Sequence, residues 1–229
     1  MNLYFVKTPK FVQRLFPKRT WALPNNENIV YLTFDDGPIP QVTPWVLDLL
    51  KKHHAKATFF CIGDNINKHP SIFKRLVAEG HSIGNHTYHH LNGWETNTEA
   101  YIDNCEKFDE ILNCNNELVE ATYQNDKSET HNQKSTIKNL FRPPFGKITT
   151  RQSKILQKKG YIIIMWDVLS ADFDPNISKE KCLENVLKNL NPGSIVVFHD
   201  SLKSEEKLRY VLPKVLDFIT GNKWKCARI

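Results

Sequence analysis

Short apolar runs alternate with amphipathic helical patterns along almost the whole chain. The run Tyr161–Trp166 is apolar at nearly every position, which is typical of a parallel strand that is buried on both faces. The stretch Ser178–Asn189 has helical periodicity and begins with serine, a preferred residue at helix starts. The strand-then-helix pattern recurs about seven times, which predicts a parallel α/β fold. Periodicity fits a closed or distorted barrel and an open doubly wound sheet equally well.

The length favours one main domain. The chain has 229 residues, of which 40% are hydrophobic, enough for one sizeable core. We predict an N-terminal arm over residues 1–28 and a domain over residues 29–229. Residues 115–139 are polar and rich in Asn, Glu, Lys and Thr, so we predict an insertion there. The five cysteines form no CxxC motif, which favours reduced thiols.

The positive charge of the chain is concentrated in the arm. The formal net charge is +6, and the first 20 residues hold no acid but five basic residues: Lys7, Lys10, Arg14, Lys18 and Arg19. The remainder is nearly neutral, which disfavours nucleic-acid binding because that function needs a basic face spread along the domain. We favour an arm whose apolar residues pack on one end of the fold. A weak peripheral contact with an anionic membrane is the alternative.

No targeting signal is evident in the sequence. No apolar run approaches the roughly 20 residues of a membrane-spanning helix. Pro9, with the charges of Lys7 and Lys10, interrupts the apolar core of a signal peptide. We therefore expect a cytoplasmic or membrane-peripheral protein.

Unusual polar residues follow the strand-like runs. They are, in chain order, Asp35 and Asp36, then His86, His89 and His90, then Arg142, then Asp172, and finally His199 and Asp200. The C-terminal ends of parallel strands lie on one side of such a fold, where sites are built. We therefore expect these distant residues to converge.

The histidines have the spacing of metal ligands. His86 and His90 can present two nitrogens to one metal, and Asp36 would complete a three-ligand site suited to zinc or another borderline divalent ion. His89 is an alternative ligand with a less suitable spacing. A solvated helix start is the non-metal interpretation. Asp35 and Asp36 are adjacent carboxylates, so one could bind a metal while the other acts as a base. A plain Asp-Gly-Pro turn is the alternative.

Two further segments carry potential chemistry. Arg142 precedes two prolines that fix the backbone, so it could orient Asp35, and a backbone N–H in this turn could donate to an oxyanion. A structural salt bridge is the alternative. His199 ends a buried run and could act as a general acid kept protonated by an acidic partner. A buried histidine bonded only to backbone is the alternative there.

Together these motifs resemble the polysaccharide deacetylases of carbohydrate esterase family 4, also called the NodB homology domain. The resemblance covers about Ile29 to Phe218. The motifs that carry it are Thr33-Phe34-Asp35-Asp36-Gly37-Pro38, His86-Thr87-x-x-His90, Arg142-x-Pro144-Phe145-Gly146, Asp172 after a Trp-containing run, and Val197-x-His199.

The resemblance implies a distorted (β/α) barrel of about seven parallel strands. It also implies metal-dependent removal of N-acetyl groups from amino-sugar glycans, either peptidoglycan-like or chitin-like. One divalent metal, usually zinc with cobalt, manganese or nickel as alternatives, would bind Asp36, His86 and His90. The alternatives are a hydrolase of a small cyclic amide or another ester, and a non-catalytic glycan-binding module.

The family pattern also implies roles for single residues. Asp35 would be the general base positioned by Arg142, and His199 would be the general acid oriented by Asp172. The Phe145 N–H would help to bind the oxyanion. The substrate-binding residues implied are Phe145, Pro144, Trp166, Phe173 and Val197. The chain departs from the usual pattern at Phe145, Leu169, Phe173 and Val197, where Tyr, Asp, Trp and Leu are common. Every catalytic and metal residue is present, which predicts an active enzyme.

Overall fold

The computed structural model describes residues 4–24, 27–123 and 137–229. Within these ranges the strands are β1 Ile29–Asp35, β2 Thr58–Cys61, β3 Ser82–Asn85, β4 Ile137–Phe141, β5 Ile162–Ile163, β6 Val168–Leu169, β7 Ile195–His199 and β8 Lys225–Cys226. The helices are α1 Lys10–Leu15, α2 Thr43–Lys52, α3 Gly63–Lys68, α4 Pro70–Ala78, α5 Thr98–Tyr123, α6 Thr150–Lys158, α7 Lys179–Leu187 and α8 Glu205–Gly221. A 3-10 turn covers Pro144–Gly146. Within the described residues, none of the helices has the length and apolar character needed to cross a membrane.

The strands form one curled parallel sheet. Their order is β5-β4-β3-β2-β1-β7-β6, and β8 pairs with the start of β1. Helices surround the sheet, so the seven strands of the main path form the half-barrel of a distorted (β/α) barrel. This confirms the fold class that the sequence predicted. In the register of β1 and β7, Asp35 lies opposite His199, although 164 positions separate them in sequence.

Side-chain alternation on β1 separates the core from the site. Phe34 packs outward on Phe59 and Phe198, with ring centroids 5.0 and 5.9 Å apart, and all three rings are buried. Each such ring contributes roughly 1.5–3 kcal/mol through removal of apolar surface from water. Because successive strand residues point to opposite faces, Thr33 and Asp35 point the other way, into the barrel.

The predicted strand Tyr161–Trp166 is much shorter in the structure. Only Ile162 and Ile163 form β5, and Ile162 is 51% exposed. The strand is short because β5 is the last strand of the sheet path. Beyond β5 the backbone pairs with the arm instead: the Thr20 N–H donates to Ile163 O and the Met165 N–H donates to Thr20 O, at 2.9 and 2.7 Å.

A long helix begins at Thr98, and apolar residues at helical spacing continue along it to Leu112. It continues as α5 to Tyr123, into the predicted insertion at 115–139. Glu117, Leu118, Glu120 and Ala121 are good helix formers, and this outweighs the polar character of the segment. Residues 124–136 of the predicted insertion lie outside the described residues.

The N-terminal arm lies along the open side of the half-barrel, between β5 and β6. Beside β6, the Thr8 N–H donates to Asp167 O and the Leu169 N–H donates to Val6 O, both at 2.8 Å. The ammonium of Lys7 lies 2.6 Å from Asp167 Oδ2. The arm therefore supplies backbone partners to strand edges that the sheet itself leaves open.

Candidate active site

Asp36, His86 and His90 converge beyond the C-terminal ends of β1 and β3. Their candidate ligand atoms all lie within 4.8 Å of one another. Asp36 Oδ1 lies 3.2 Å from His90 Nε2 and 3.8 Å from His86 Nε2, and this buried oxygen has no well-aligned hydrogen-bond donor among the described residues. A buried carboxylate oxygen facing two imidazole nitrogens fits the N/O ligand set of a divalent cation. His89 does not join the group, because its Nδ1 accepts a hydrogen bond from the Asn104 amide at 2.9 Å.

Left-handed backbone conformations bring these side chains together. Asp36, Thr87 and His90 have φ values of 83°, 60° and 56°. Each such residue costs about 1–3 kcal/mol, so the surroundings must hold it in place. The Asn85 side chain accepts from the Thr87 N–H at 2.8 Å, and the Thr87 hydroxyl accepts from the Leu91 N–H at 2.9 Å.

The protonation states of the group suit metal binding. His86 Nδ1 donates to the Arg142 carbonyl at 2.7 Å, which leaves the Nε2 lone pair directed at Asp36. Burial lowers the pKa of His86 to about 4, although the nearby charges of Asp35 and Asp36 oppose this, so the ring is neutral at neutral pH. Burial alone would raise the pKa of Asp36. The close polar contact with His90 and the charges of nearby imidazoles outweigh burial and hold that pKa well below its usual range.

Asp35 is fixed by a fully buried arginine. Arg142 Nη1 donates to Asp35 Oδ1 at 2.7 Å and to Thr33 Oγ1 at 2.6 Å. The same guanidinium donates to the carbonyl oxygens of Ile164 and Met165. Burial lowers the pKa of Arg142, but a guanidinium still stays protonated in a protein. The second oxygen of Asp35, Oδ2, lies 4.0 Å from His86 Nε2, beside the ligand group.

His199 is held by Asp172 on the neighbouring side of the barrel. Asp172 Oδ1 lies 2.7 Å from His199 Nδ1, and Asp172 Oδ2 accepts the His199 backbone N–H at 2.8 Å. Burial by itself would lower the pKa of His199. The charge and hydrogen bond of Asp172, with the charges of Asp36 and Asp35, outweigh burial and raise the pKa to about 9. The imidazole is therefore protonated at neutral pH.

Asp200 supports the site, and our reading of the sequence gave it no role. Its buried carboxyl accepts the Gly37 N–H at 3.1 Å and the Thr43 hydroxyl at 2.5 Å. Burial raises the pKa of Asp200 to about 8. A Cβ at Gly37 would lie only 2.0 Å from Asp200 Oδ2, so the turn after Asp36 requires glycine here. Two features of the sequence could have indicated this role of Asp200. They are the glycine of the Asp-Gly-Pro turn and the position of Asp200 directly after His199.

Three of the five residues implied as substrate-binding lie around the polar group. The Phe145 ring is 61% exposed and lies 4.6 Å from the His90 ring, while the Phe173 ring lies 5.1 Å from the His199 ring. Trp166 lies 5.8 Å from the Arg142 guanidinium. Val197 and Pro144 are buried. Their role in binding substrate stays a prediction.

The arm also reaches this region, which the sequence did not indicate. The Tyr4 ring lies 5.7 Å from the Phe173 ring, and the Tyr4 hydroxyl donates to Asp174 at 2.7 Å. Burial and the Asp174 carboxylate raise the pKa of Tyr4 to about 12, so the hydroxyl stays protonated as a donor.

Comparison with known families agrees with this geometry. The family model described as polysaccharide deacetylase matches residues 22–164. The chain belongs to the polysaccharide deacetylase family. The match includes Asp35, Asp36, His86, His90 and Arg142, and it ends before Asp172 and His199.

Named relatives and a solved structure extend the similarity. A peptidoglycan-N-acetylglucosamine deacetylase of Bacillus cereus is 39% identical over 78% of this chain, and the chain spans 58% of that relative's length. A chitooligosaccharide deacetylase of Azorhizobium caulinodans is 32% identical over 82% of this chain and 88% of its own length. A solved peptidoglycan N-acetylglucosamine deacetylase, in complex with 4-naphthalen-1-yl-N-oxidanyl-benzamide, superposes with a TM-score of 0.80. The two sequences are 32% identical, and the match covers 96% of this chain and 94% of the chain of that structure.

Proposed function

We propose that this protein is a metal-dependent hydrolase that removes N-acetyl groups from amino-sugar glycans of the peptidoglycan or chitin type. The observation that carries the proposal is one arrangement of charges: a carboxylate fixed by Arg142 and a protonated His199 flank the Asp36–His86–His90 group. Amide hydrolysis needs a base, an acid and an electrophile in one place. The names of the relatives indicate the substrate class.

Asp36, His86 and His90 would hold one divalent cation. Two imidazoles with one carboxylate favour zinc, while cobalt, manganese and nickel accept the same ligands. When bound, the cation would polarise the acetamide carbonyl and lower the pKa of a water molecule.

Asp35 would act as the general base toward the attacking water. Arg142 holds Oδ1, so Oδ2 is the oxygen presented to the water beside the ligand group. Because Arg142 is itself hydrogen bonded to two backbone carbonyls, the orientation of Asp35 is set before substrate binds. The Phe145 N–H would donate to the developing oxyanion.

His199 would protonate the departing sugar amine, which is otherwise a very poor leaving group. Asp172 holds Nδ1, so the proton to be donated is on Nε2. Because the pKa of His199 is raised to about 9, the donor form predominates at neutral pH.

The proposal is tested by acetate release from N-acetylglucosamine oligomers, with added zinc or cobalt. We expect the Asp35→Asn variant to lose about 10²-fold or more in rate, the contribution of a general base. Asp167→Asn, which changes another buried carboxylate outside the site, is the matched control and should retain activity.

Equal acetate release by wild type and Asp35→Asn would show that the mechanism is wrong. Turnover of a small cyclic amide or another ester, without acetate from the oligomers, would instead support a different hydrolase. Oligomer binding without any turnover would indicate a glycan-binding module.

A separate measurement tests the ligand group. We expect His86→Ala to retain at least tenfold less zinc than wild type by elemental analysis after dialysis, because ligand loss leaves two protein donors. His89→Ala is the control and should retain zinc, since His89 is bonded to Asn104. Equal loss in both variants would contradict the assignment.

A further inference from the structure

The N-terminal arm carries a concentration of exposed apolar side chains. Eight large hydrophobic residues are exposed within the described part of the chain, and four of them lie between Phe5 and Phe16. The two most exposed of these four are Phe11 at 60% and Leu15 at 68%. Such clustering is the kind of apolar patch that marks an interaction surface, whereas scattered single residues need no explanation.

The two side chains share one face of α1. Phe11 and Leu15 are four positions apart, so they lie one helical turn apart on the same side. Val12 packs inward against the core cluster that contains Trp21 and Tyr161. The helix thus has one side that packs on the fold and, next to it, an exposed apolar side formed by Phe11 and Leu15.

Basic side chains lie on the adjoining side of α1 and in the segment that follows it. Lys10, Arg14 and Arg19 line an open surface cavity of about 540 Å³, and none of them forms an ion pair with a carboxylate in the described residues. The Arg19 guanidinium lies 4.2 Å from the Phe16 ring centroid. No acidic residue occurs in the first 20 positions. The cavity is therefore suited to an anionic group.

We propose that these residues form a docking surface for an anionic phospholipid bilayer. This arm surface consists of Lys10, Phe11, Arg14, Leu15, Phe16 and Arg19. The basic cavity would receive headgroup phosphate, and Phe11 and Leu15 would enter the boundary with the acyl chains. A soluble polyanion would account for the charges but would leave the apolar side chains in water, and a lipid surface accommodates both.

The arm surface is rigidly attached to the catalytic domain. On one side of α1 the Thr8 hydroxyl donates to Trp166 O at 2.8 Å, and on the other the Thr20 N–H donates to Ile163 O at 2.9 Å. Docking through α1 would therefore fix the orientation of the whole barrel at the membrane. This inference concerns the arm alone and does not depend on the proposed deacetylation.

The test is co-sedimentation of the full chain with vesicles at about 0.1 M salt. We expect at least tenfold tighter binding to phosphatidylglycerol–phosphatidylcholine vesicles than to pure phosphatidylcholine, and weaker binding at higher salt. The double variants Phe11→Ser/Leu15→Ser and Lys10→Gln/Arg14→Gln should each bind at least tenfold more weakly. Leu202→Ser is the control, since Leu202 is 62% exposed in the turn after β7, outside the arm, and this variant should bind like wild type.

Several outcomes would overturn the inference. These are equal binding to both kinds of vesicle, unchanged binding by both arm variants, and binding of glycerol phosphate as tight as binding of vesicles, which would indicate a free-anion site. Self-association that is lost in Phe11→Ser/Leu15→Ser, without vesicle binding, would assign the surface to a second copy. Thermal unfolding and acetate release from soluble oligomers should be unchanged in both arm variants, which separates this test from that of the catalytic proposal.

Discussion

Four carboxylates near the ends of the central strands have different partners. Asp35 is bound by an arginine, Asp36 faces two imidazoles, Asp172 holds one imidazole, and Asp200 accepts from a backbone N–H and a hydroxyl. The partners determine whether each group is presented to a reacting atom or serves to orient another residue. This is the usual way in which one residue type serves several roles in one site.

At the residue scale, Asp172→Asn should change the pH dependence of activity. Asp172 is a principal cause of the raised pKa of His199, so its removal lowers that pKa from about 9. The acid form is then lost at lower pH, and the alkaline limb of kcat/KM should move down by about 1 unit or more. The measurement is kcat/KM against pH for acetate release.

The control for this prediction is Asp174→Asn. Asp174 lies on the same loop but bonds Tyr4 and Asn176 rather than His199. Its variant should keep the alkaline limb of the wild type. An unchanged limb in Asp172→Asn would show that Asp172 does not set the protonation of His199.

At the scale of elements, helix α6 begins with a reciprocal cap that also supports the site. The Thr149 hydroxyl accepts the Gln152 N–H, and the Gln152 side chain accepts the Thr149 N–H. The Gln152 amide also donates to the Gly93 and Thr96 carbonyls. One side chain therefore joins the start of α6 to the loop that follows His90.

We expect Gln152→Ala to destabilise the fold by about 2–3 kcal/mol, because it leaves two carbonyls and a helix N–H without partners. Thr149→Ala should cost about 1 kcal/mol, the usual value for a lost cap. The measurement is urea unfolding. Ser178→Ala is the control, because Ser178 caps α7 by accepting the Lys181 N–H at 3.1 Å.

If Gln152→Ala costs no more than Ser178→Ala, then the bonds to Gly93 and Thr96 contribute nothing to stability. Such a result would show that α6 does not stabilise the loop that follows His90.

Where the contacts of an element are local, its bounds in the structure agree closely with those predicted from the sequence. The helix predicted over Ser178–Asn189 lies within one or two positions of α7 at both ends. The predictions failed at β5 and α5. The length of β5 depends on which backbone segment pairs with it. At α5, helix propensity extends the helix to Tyr123, inside the segment that we predicted as an insertion.

At the scale of the whole molecule, the arm completes an otherwise open barrel. Lys7 connects it to both neighbouring parts of the fold, since its ammonium donates to the Asp167 carboxylate and to the Asn189 carbonyl. Asp167 also accepts from Ser194 and from the Ile195 N–H, so the same carboxylate ties β7 to this contact.

We expect Lys7→Met to lower the free energy of unfolding by about 1–3 kcal/mol, because a largely buried carboxylate loses its charged partner. Lys10→Met, which removes a charge with no ion-pair partner among the described residues, should change stability by less than about 0.5 kcal/mol. Thermal and urea unfolding of the two variants provide the measurement. Equal stabilities would indicate that the arm is only loosely associated.

The sequence alone determined the parallel α/β class and the identity of the chemical groups. Both are encoded locally: strand and helix periods repeat along the chain, and the motifs keep ligand and acid–base residues a few positions apart. The pattern therefore placed Asp35, Asp36, His86, His90, Arg142, Asp172 and His199 in one site before any distance was known.

The tertiary structure decided which of these groups meet, and how. It excluded His89, brought Asp35 beside His199 through the register of β1 and β7, and assigned Asp200 to the support of Gly37. It also placed the arm along β5 and β6. Such contacts join residues far apart in the chain, and they depend on sheet register and burial, which no local pattern of residues encodes.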